Sequence, residues 1–361
     1  MLPLPDPSQA KDPSSQVAPI FCLLGVVVLL SSITPTMKYL LQHSSLSVQS
    51  IATGRIVIGF LFLAVLTTCL DWRGLRSLSM ADGARLAVPG LLGIGSYVVA
   101  AYGLLHTNVT HYALIYSLLP TFTTFFSWCF AKDRLTGSSL VGIALSWTGC
   151  LLALVPNLQA GTIEMYFGDP IVLLFTIMMA AHLVFSMHTV RRHGVLVANT
   201  TMFGITAILI SGCTAAWGEP APLMDLSLSV WGAVLFIGLG TASVFILRCR
   251  SLQSLPPATV GAYHNLIPIC TIAIAYLSLG EPMTVQTMTG ALAVLLGTEL
   301  VRRKPALTAV SRYKKFVDLS VLAGRPRSTR VLMRHNRTLV DFAPRRGDTL
   351  IGSSTVHWPH G

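Results

Sequence analysis

The chain has 361 residues, 53% of them hydrophobic and only 11% charged, and a formal net charge of +11. A soluble globular chain carries about 25% charged residues, so a water-soluble fold could not cover this much apolar side chain. The apolar residues are bunched into nearly uncharged runs of about 20, the length that crosses a roughly 30 Å hydrocarbon core as a helix, and this predicts an all-α polytopic membrane protein.

Ten such runs follow one another: Ile20 to Leu41, Val48 to Leu70, Leu86 to Leu105, Tyr112 to Ala131, Ser139 to Val155, Pro170 to Val190, Val197 to Trp217, Leu228 to Leu247, Ala258 to Leu279 and Met283 to Val301. The first follows a Pro- and Ser-rich start and is longer than the apolar core of a secretory signal, so it is expected to stay as a membrane helix. The domains expected are a cytoplasmic start (1–19), a first five-helix repeat (20–155), an outer connection (156–169), a second five-helix repeat (170–302) and a flexible basic tail (303–361). Seven scattered cysteines contain no Cys-x-x-Cys pair, which gives neither a disulfide framework nor a zinc site.

Where the bases sit matters more than their number. From Arg302 onward thirteen Lys and Arg face three acids, so ten of the eleven net positive charges lie in the tail. Beside a membrane such a tail is expected near anionic headgroups or in solvent, not on nucleic acid. Among the ten spans, Lys and Arg recur in alternate connections: Arg73, Arg76 and Arg85, then Lys132 and Arg134, then Arg191 and Arg192, then Arg248 and Arg250. The other connections carry Glu164, Asp169, Glu219, Asp225 and Glu281. Bases are retained on the cytoplasmic side, so the alternation predicts both termini inside, with the plasma (inner) membrane as the expected location.

The chain also repeats itself. A shift of 148 residues carries Pro120 onto Pro268, Asp133 onto Glu281, Gly142 onto Gly290, Gly149 onto Gly297 and Gly90 onto Gly238. Five helices lie within one shift, an odd number, so the second copy must enter the membrane from the opposite side. That is an inverted-topology repeat, a construction used for alternating access around a site near the midplane.

Pro120 with the Lys132-Asp133-Arg134 turn and the Gly142/Gly149 helix, echoed by Pro268, Gly280-Glu281-Pro282 and Gly290/Gly297, resembles the EamA-type drug/metabolite transporter superfamily. The resemblance covers roughly Ile20 to Arg303. It implies ten transmembrane helices in two inverted repeats, exporting or exchanging amino acids, nucleotide-linked sugars, amines or other small metabolites. It also implies that the two glycine-bearing end helices pack on each other; a homodimer contact is the alternative use of that face. The first copy has Asp133 where the family tends to have Glu, and Ser311 to Gly361 matches no pattern of the family.

Candidate binding residues follow from what a bilayer tolerates. Pro120 and Pro268 free the carbonyls of Tyr116 and His264, and freed backbone in lipid must be buried in protein or line a polar cavity. One reading is a packing kink, and the other puts Tyr116, His264 and Asn265 on a cavity wall. Lys38 and Arg55 are the bases within the apolar runs, and such residues usually face the bundle interior or snorkel. Lys38 is close enough to the outer end to snorkel or to stand at a cavity mouth, whereas Arg55 lies deeper and points to a cavity or an internal ion pair, with Asp169 as the candidate counter-ion. Together they would concentrate anions, so a carboxylate or phosphate on the substrate is expected. Tyr97 and Tyr102, with Ser96, Thr241 and Ser243, fall in helices that the resemblance places around the central cavity, where aromatics either stack on a planar substrate or simply pack. His111, His182, His188 and His264 read as hydrogen-bonded neutral side chains more readily than as a proton relay.

Nothing in the chain matches His-Glu-x-x-His, Gly-x-Ser-x-Gly or a phosphate-binding Gly loop. No enzyme and no cofactor are therefore expected. The reading is a secondary transporter for a small-molecule substrate, with the lipid bilayer as its surroundings. A membrane enzyme acting on a lipid-linked substrate and a sensor or scaffold using the basic tail are the alternatives.

Overall fold

The computed structural model describes residues 13–131, 136–154, 166–217, 226–254, 263–302, 331–335 and 338–342. The Lys132-Asp133-Arg134 turn, the loop acids Glu164, Glu219 and Asp225, and the side chain of His188 lie outside the described residues. The chain divides into a unit ending at Lys304 and a second beginning at Pro305. In the second, Val331–His335 pairs antiparallel with Thr338–Phe342, a hairpin in the tail that the sequence reading left without regular structure.

The first unit is helical throughout its described part. Its elements are α1 (Pro13–His43), α2 (Val48–Arg76), α3 (Met80–Gly90), a π turn (Leu91–Gly95), α4 (Ser96–Leu105), α5 (Val109–Tyr116), α6 (Leu119–Ala131), α7 (Gly137–Leu154), α8 (Gly168–His193), α9 (Val195–Trp217), α10 (Leu228–Ser254), α11 (Leu266–Leu279) and α12 (Val285–Arg302). Among the described residues eight segments are long and apolar enough to cross a membrane, counting α3 with α4 and α5 with α6 as one each, and α11 and α12 are apolar but shorter. Side chains such as Phe21, Val65, Ile208 and Leu292 are exposed on the outside of the bundle, as a lipid solvent requires.

The helix ends are set locally. Ser47, Ser79 and Asn108 cap α2, α3 and α5 by accepting the backbone N–H groups of Ser50, Asp82 and His111, which otherwise have no intrahelical partner. At the end of α11, Gly280 takes φ +66°, a left-handed cap that costs a side-chain-bearing residue more. The turn it makes presents Glu281 to the start of α5. The Glu281 carboxylate accepts from Val109 N at 2.6 Å, Thr110 N at 3.0 Å and Thr110 Oγ1 at 2.8 Å, a charge-assisted cap on a helix N-terminus.

The sequence repeat reappears as geometry. The 148-residue shift carries α7 onto α12, and these two pack on each other with Gly142 opposite Gly297 and Gly149 opposite Gly290. The pairing is antiparallel, with Ser146 at its centre reaching Val294 O at 3.5 Å. A Cβ on Gly142 would stand 2.5 Å from Gly297 O, and one on Gly149 2.7 Å from Gly290 O, so the glycines permit the contact. Because the glycine faces cover each other within one chain, they are not available to a second copy. The same shift carries α2 onto α9, and these also run antiparallel, joined by Thr53 to Thr214 at 2.9 Å and Thr67 to Thr200 at 2.6 Å.

Two further pairs are copies of one another. α8 lies along α3 and α4, with Gly103 against Val172 and Gly93 against the His182 ring; the His182 Nδ1 donates to Pro89 O at 2.7 Å where the helix loosens into the π turn. The shifted equivalent is α1 along α10, with Gly25 against Leu247, Gly240 against Ile33, and Ser251 Oγ donating to Pro19 O at 3.2 Å. Each helix thus meets its partner from the other copy.

Candidate functional site: a cavity between the repeats

A cavity of about 210 Å³ lies where the two copies meet. The first copy contributes Arg55, Tyr97, Tyr112, Tyr116 and Pro120, and the second Phe175, Arg248, His264, Asn265 and Pro268, with aliphatic and hydroxyl side chains between. Both prolines stand at a break. Tyr116 ends α5, Ser117 and Leu118 form a turn, and Leu119 opens α6; on the other side Asn265 is the turn before Leu266 opens α11. A proline cannot donate to the preceding turn; the spans are interrupted two residues before Pro120 and three before Pro268, and both interruptions face the cavity.

Arg55 is 5% exposed. Its Nε donates to Thr241 Oγ1 at 2.8 Å, its Nη1 reaches Met37 Sδ at 3.6 Å, and its guanidinium carbon sits 4.0 Å over the Tyr97 ring. Such a cation–π contact returns about 0.5–2 kcal/mol, less than the several kcal/mol that burying an unpaired ion costs. Arg248 projects into the same cavity, and its Nε is buried without a hydrogen-bond partner. Among the described residues no carboxylate makes an ion pair with either arginine. The rings opposite form a wall: Phe175 is parallel-stacked with Tyr116 at 5.4 Å and with Tyr112 at 5.8 Å, at interplanar angles of 15° and 24°. Asn265 Nδ2 donates to Glu299 Oε2 at 3.4 Å.

Of the seven sequence candidates, the structure brings Arg55, Tyr97, Tyr116, His264 and Asn265 together around the cavity and leaves Lys38 and Tyr102 out. Lys38 Nζ donates to the carbonyls of Leu104 at 2.8 Å and Thr107 at 2.6 Å, so it caps the end of α4. Tyr102 is exposed, on the face of α4 opposite to that of Tyr97, which lies five residues back. Asp169 is not a counter-ion to either base. It accepts from Thr107 Oγ1 at 2.5 Å and His111 Nδ1 at 3.0 Å. Sequence reasoning missed Arg248 because it assigned it to a loop, whereas α10 continues to Ser254. The available signal was its place seven residues after Thr241, two turns along one helix face. Tyr112, four residues before Tyr116, carries the same kind of signal; Phe175 carries none.

Both ends of the α8 to α3–α4 pair are tied. At one end Lys38, Asp169 and Glu281 converge on the Thr107–Thr110 turn from three different elements. At the other, Asp82 accepts from Ser79 and Arg192 and lies 3.5 Å from His193 Nε2.

A bundle of antiparallel helix pairs, related by an internal repeat and holding at the seam a largely apolar cavity with two arginines in its lining, is the architecture of a membrane carrier. The family profile of the EamA-like transporter family matches residues 17–155 and again 166–303, and the chain belongs to that family. It is 25% identical over 214 residues to the "uncharacterized transporter YyaM" of Bacillus subtilis (strain 168), spanning 58% of this chain and 70% of that one. It is 22% identical over 266 residues to an "uncharacterized transporter" of Archaeoglobus fulgidus, spanning 72% and 90%. A solved crystal structure, 14% identical, superposes with a TM-score of 0.55 over 84% of this chain and the whole of the other, a likeness of fold. The chain is therefore a multi-pass integral membrane protein of a transporter family.

Proposed function

We propose that the chain is a secondary carrier that moves a small metabolite, of the amino acid, organic anion, amine or nucleotide-sugar class, by alternating access. It crosses the plasma membrane ten times, with both termini cytoplasmic and residues 20–155 and 170–302 as its two inverted repeats. The observation that carries the reading is the cavity lined by both copies at their broken helices. Two further features support it. The corresponding helices α2 and α9, and α7 and α12, run antiparallel, as inversion demands. The hydrogen bonds that hold each end of the seam are made between copies by a handful of side chains, Asp169 and Glu281 at one end and Asp82 with Arg192 at the other. Releasing one set while keeping the other would expose the cavity to one side at a time.

The test is counterflow in proteoliposomes loaded in turn with amino acids, organic anions, amines and nucleotide-linked sugars. Accumulation of the labelled counterpart of at least one class is expected. Absence of exchange with every class, from protein that inserts and folds, would refute the carrier. A chain ending at Lys304 separates the scaffold alternative, since a carrier keeps most of its exchange without the tail.

A further inference from the structure

We infer that the cavity takes a small organic carboxylate bearing one planar ring, its carboxylate held by Arg55 and Arg248 and its ring laid on Tyr116. The inference rests on the carrier reading and narrows it to one substrate class.

Size excludes much of the list. Ligand pockets for drug-sized molecules run from about 300 to 1,000 Å³, and a dry cavity of about 150 Å³ holds a benzene ring. At about 210 Å³ this cavity has room for one ring and a short polar group. A nucleotide-linked sugar, with a base, two sugars and a diphosphate, is larger than this volume.

Charge decides the sign of the polar group. Guanidinium groups stay protonated at any working pH, so both arginines remain cationic in the cavity. Among the described residues neither has an ion-pair partner, and Arg248 Nε, buried, has no hydrogen-bond acceptor at all. The cavity thus holds two guanidinium groups with no ion-pair partner among the described residues. Glu299, on α12, accepts from Asn265 at 3.4 Å. Two planar forks match the two oxygens of a carboxylate. An amine, which aromatic walls otherwise favour, would meet two uncompensated cations here.

The wall decides the body. Tyr112, Tyr116 and Phe175 all border the cavity, and their rings lie within 25° of one another. Phe175, 1% exposed, backs the two tyrosines, and Tyr116 is the half-buried ring of the three; held in this orientation it offers a face for offset stacking, suited to another flat ring more than to a branched aliphatic chain.

Benzoate, benzamide, benzylamine and butyrate serve as probes on the full-length chain, by ligand-induced thermal stabilisation in detergent and by counterflow in proteoliposomes. Benzoate is expected to stabilise the protein and to exchange, with benzamide, benzylamine and butyrate at least tenfold weaker. Arg55→Gln and Arg248→Gln should each weaken benzoate at least tenfold, whereas Tyr116→Leu should narrow its advantage over butyrate. Unliganded melting of each variant, together with Arg55→Lys, separates loss of binding from loss of fold. Benzylamine or butyrate binding as well as benzoate, or no response to benzoate from folded protein, overturns the inference. Exchange of amines or nucleotide sugars alone would remove this substrate class and leave the carrier standing, whereas no exchange of any class would remove both.

Discussion

The contact between α7 and α12 depends on four glycines, and replacing Gly142 by Ala tests it most sharply. The added Cβ would sit 2.5 Å from Gly297 O, 2.7 Å from Val301 N and 2.9 Å from Leu300 Cβ. Two of these neighbours are backbone, so nothing flexible can swing aside and the helices must separate. Overpacking a close-packed contact costs about 1–3 kcal/mol, and a separation here also lengthens the Ser146 reach to Val294 O. Against this stands the helix-propensity gain of Ala over Gly, about 1 kcal/mol. Gly212→Ala is the matched control, since it lies in α9 with nothing within 4 Å of its added Cβ. The propensity gain is common to both variants, so their difference isolates the packing cost. Reversible unfolding in mixed detergent micelles should place Gly142→Ala below Gly212→Ala by about 1–3 kcal/mol. Adding Gly297→Ala should cost less than its single effect, because one separation relieves both clashes. Equal stabilities for Gly142→Ala and Gly212→Ala would show that the two helices do not meet at these glycines.

Glu281→Ala removes the acceptor of two backbone amides and a hydroxyl at the start of α5, and a loss of about 1.5–3 kcal/mol, typical of hydrogen bonds to a charged group, is expected in the same unfolding assay; a change below about 0.5 kcal/mol would mean that the cap is not formed. Tyr102→Leu, on the outer face of α4, should leave counterflow within about twofold of the parent, since surface substitutions away from special features are usually within about 0.5 kcal/mol, and a severe loss of exchange would return Tyr102 to the binding site. Lys38→Met should lower stability without abolishing benzoate binding, because its amine is used on the carbonyls of Leu104 and Thr107; abolished binding in folded protein would contradict that assignment.

The sequence alone determined that this chain lives in lipid and is doubled. Uncharged runs of about 20 residues have no other solvent available to them, and the 148-residue spacing of Pro120, Gly142 and Gly149 from Pro268, Gly290 and Gly297 needs no structure to be seen. Arg55 could be singled out for the same reason, because a cation deep in an apolar run must find something polar inside the bundle. The tertiary structure decided what each charge finds. Lys38 and Arg55 are both cations within apolar runs at different depths, yet the sequence left open what each would meet: a helix end lies within reach of one and a cavity within reach of the other, since that depends on which helix is packed alongside. Arg248 became visible only when α10 proved two turns longer than its apolar run, and Phe175 only when α8 was laid against α4 and α5. Hydropathy reports whether a residue can face lipid and is blind to which neighbour it faces instead. The partner is fixed by close packing between segments more than a hundred residues apart, and that is a property of the assembled bundle.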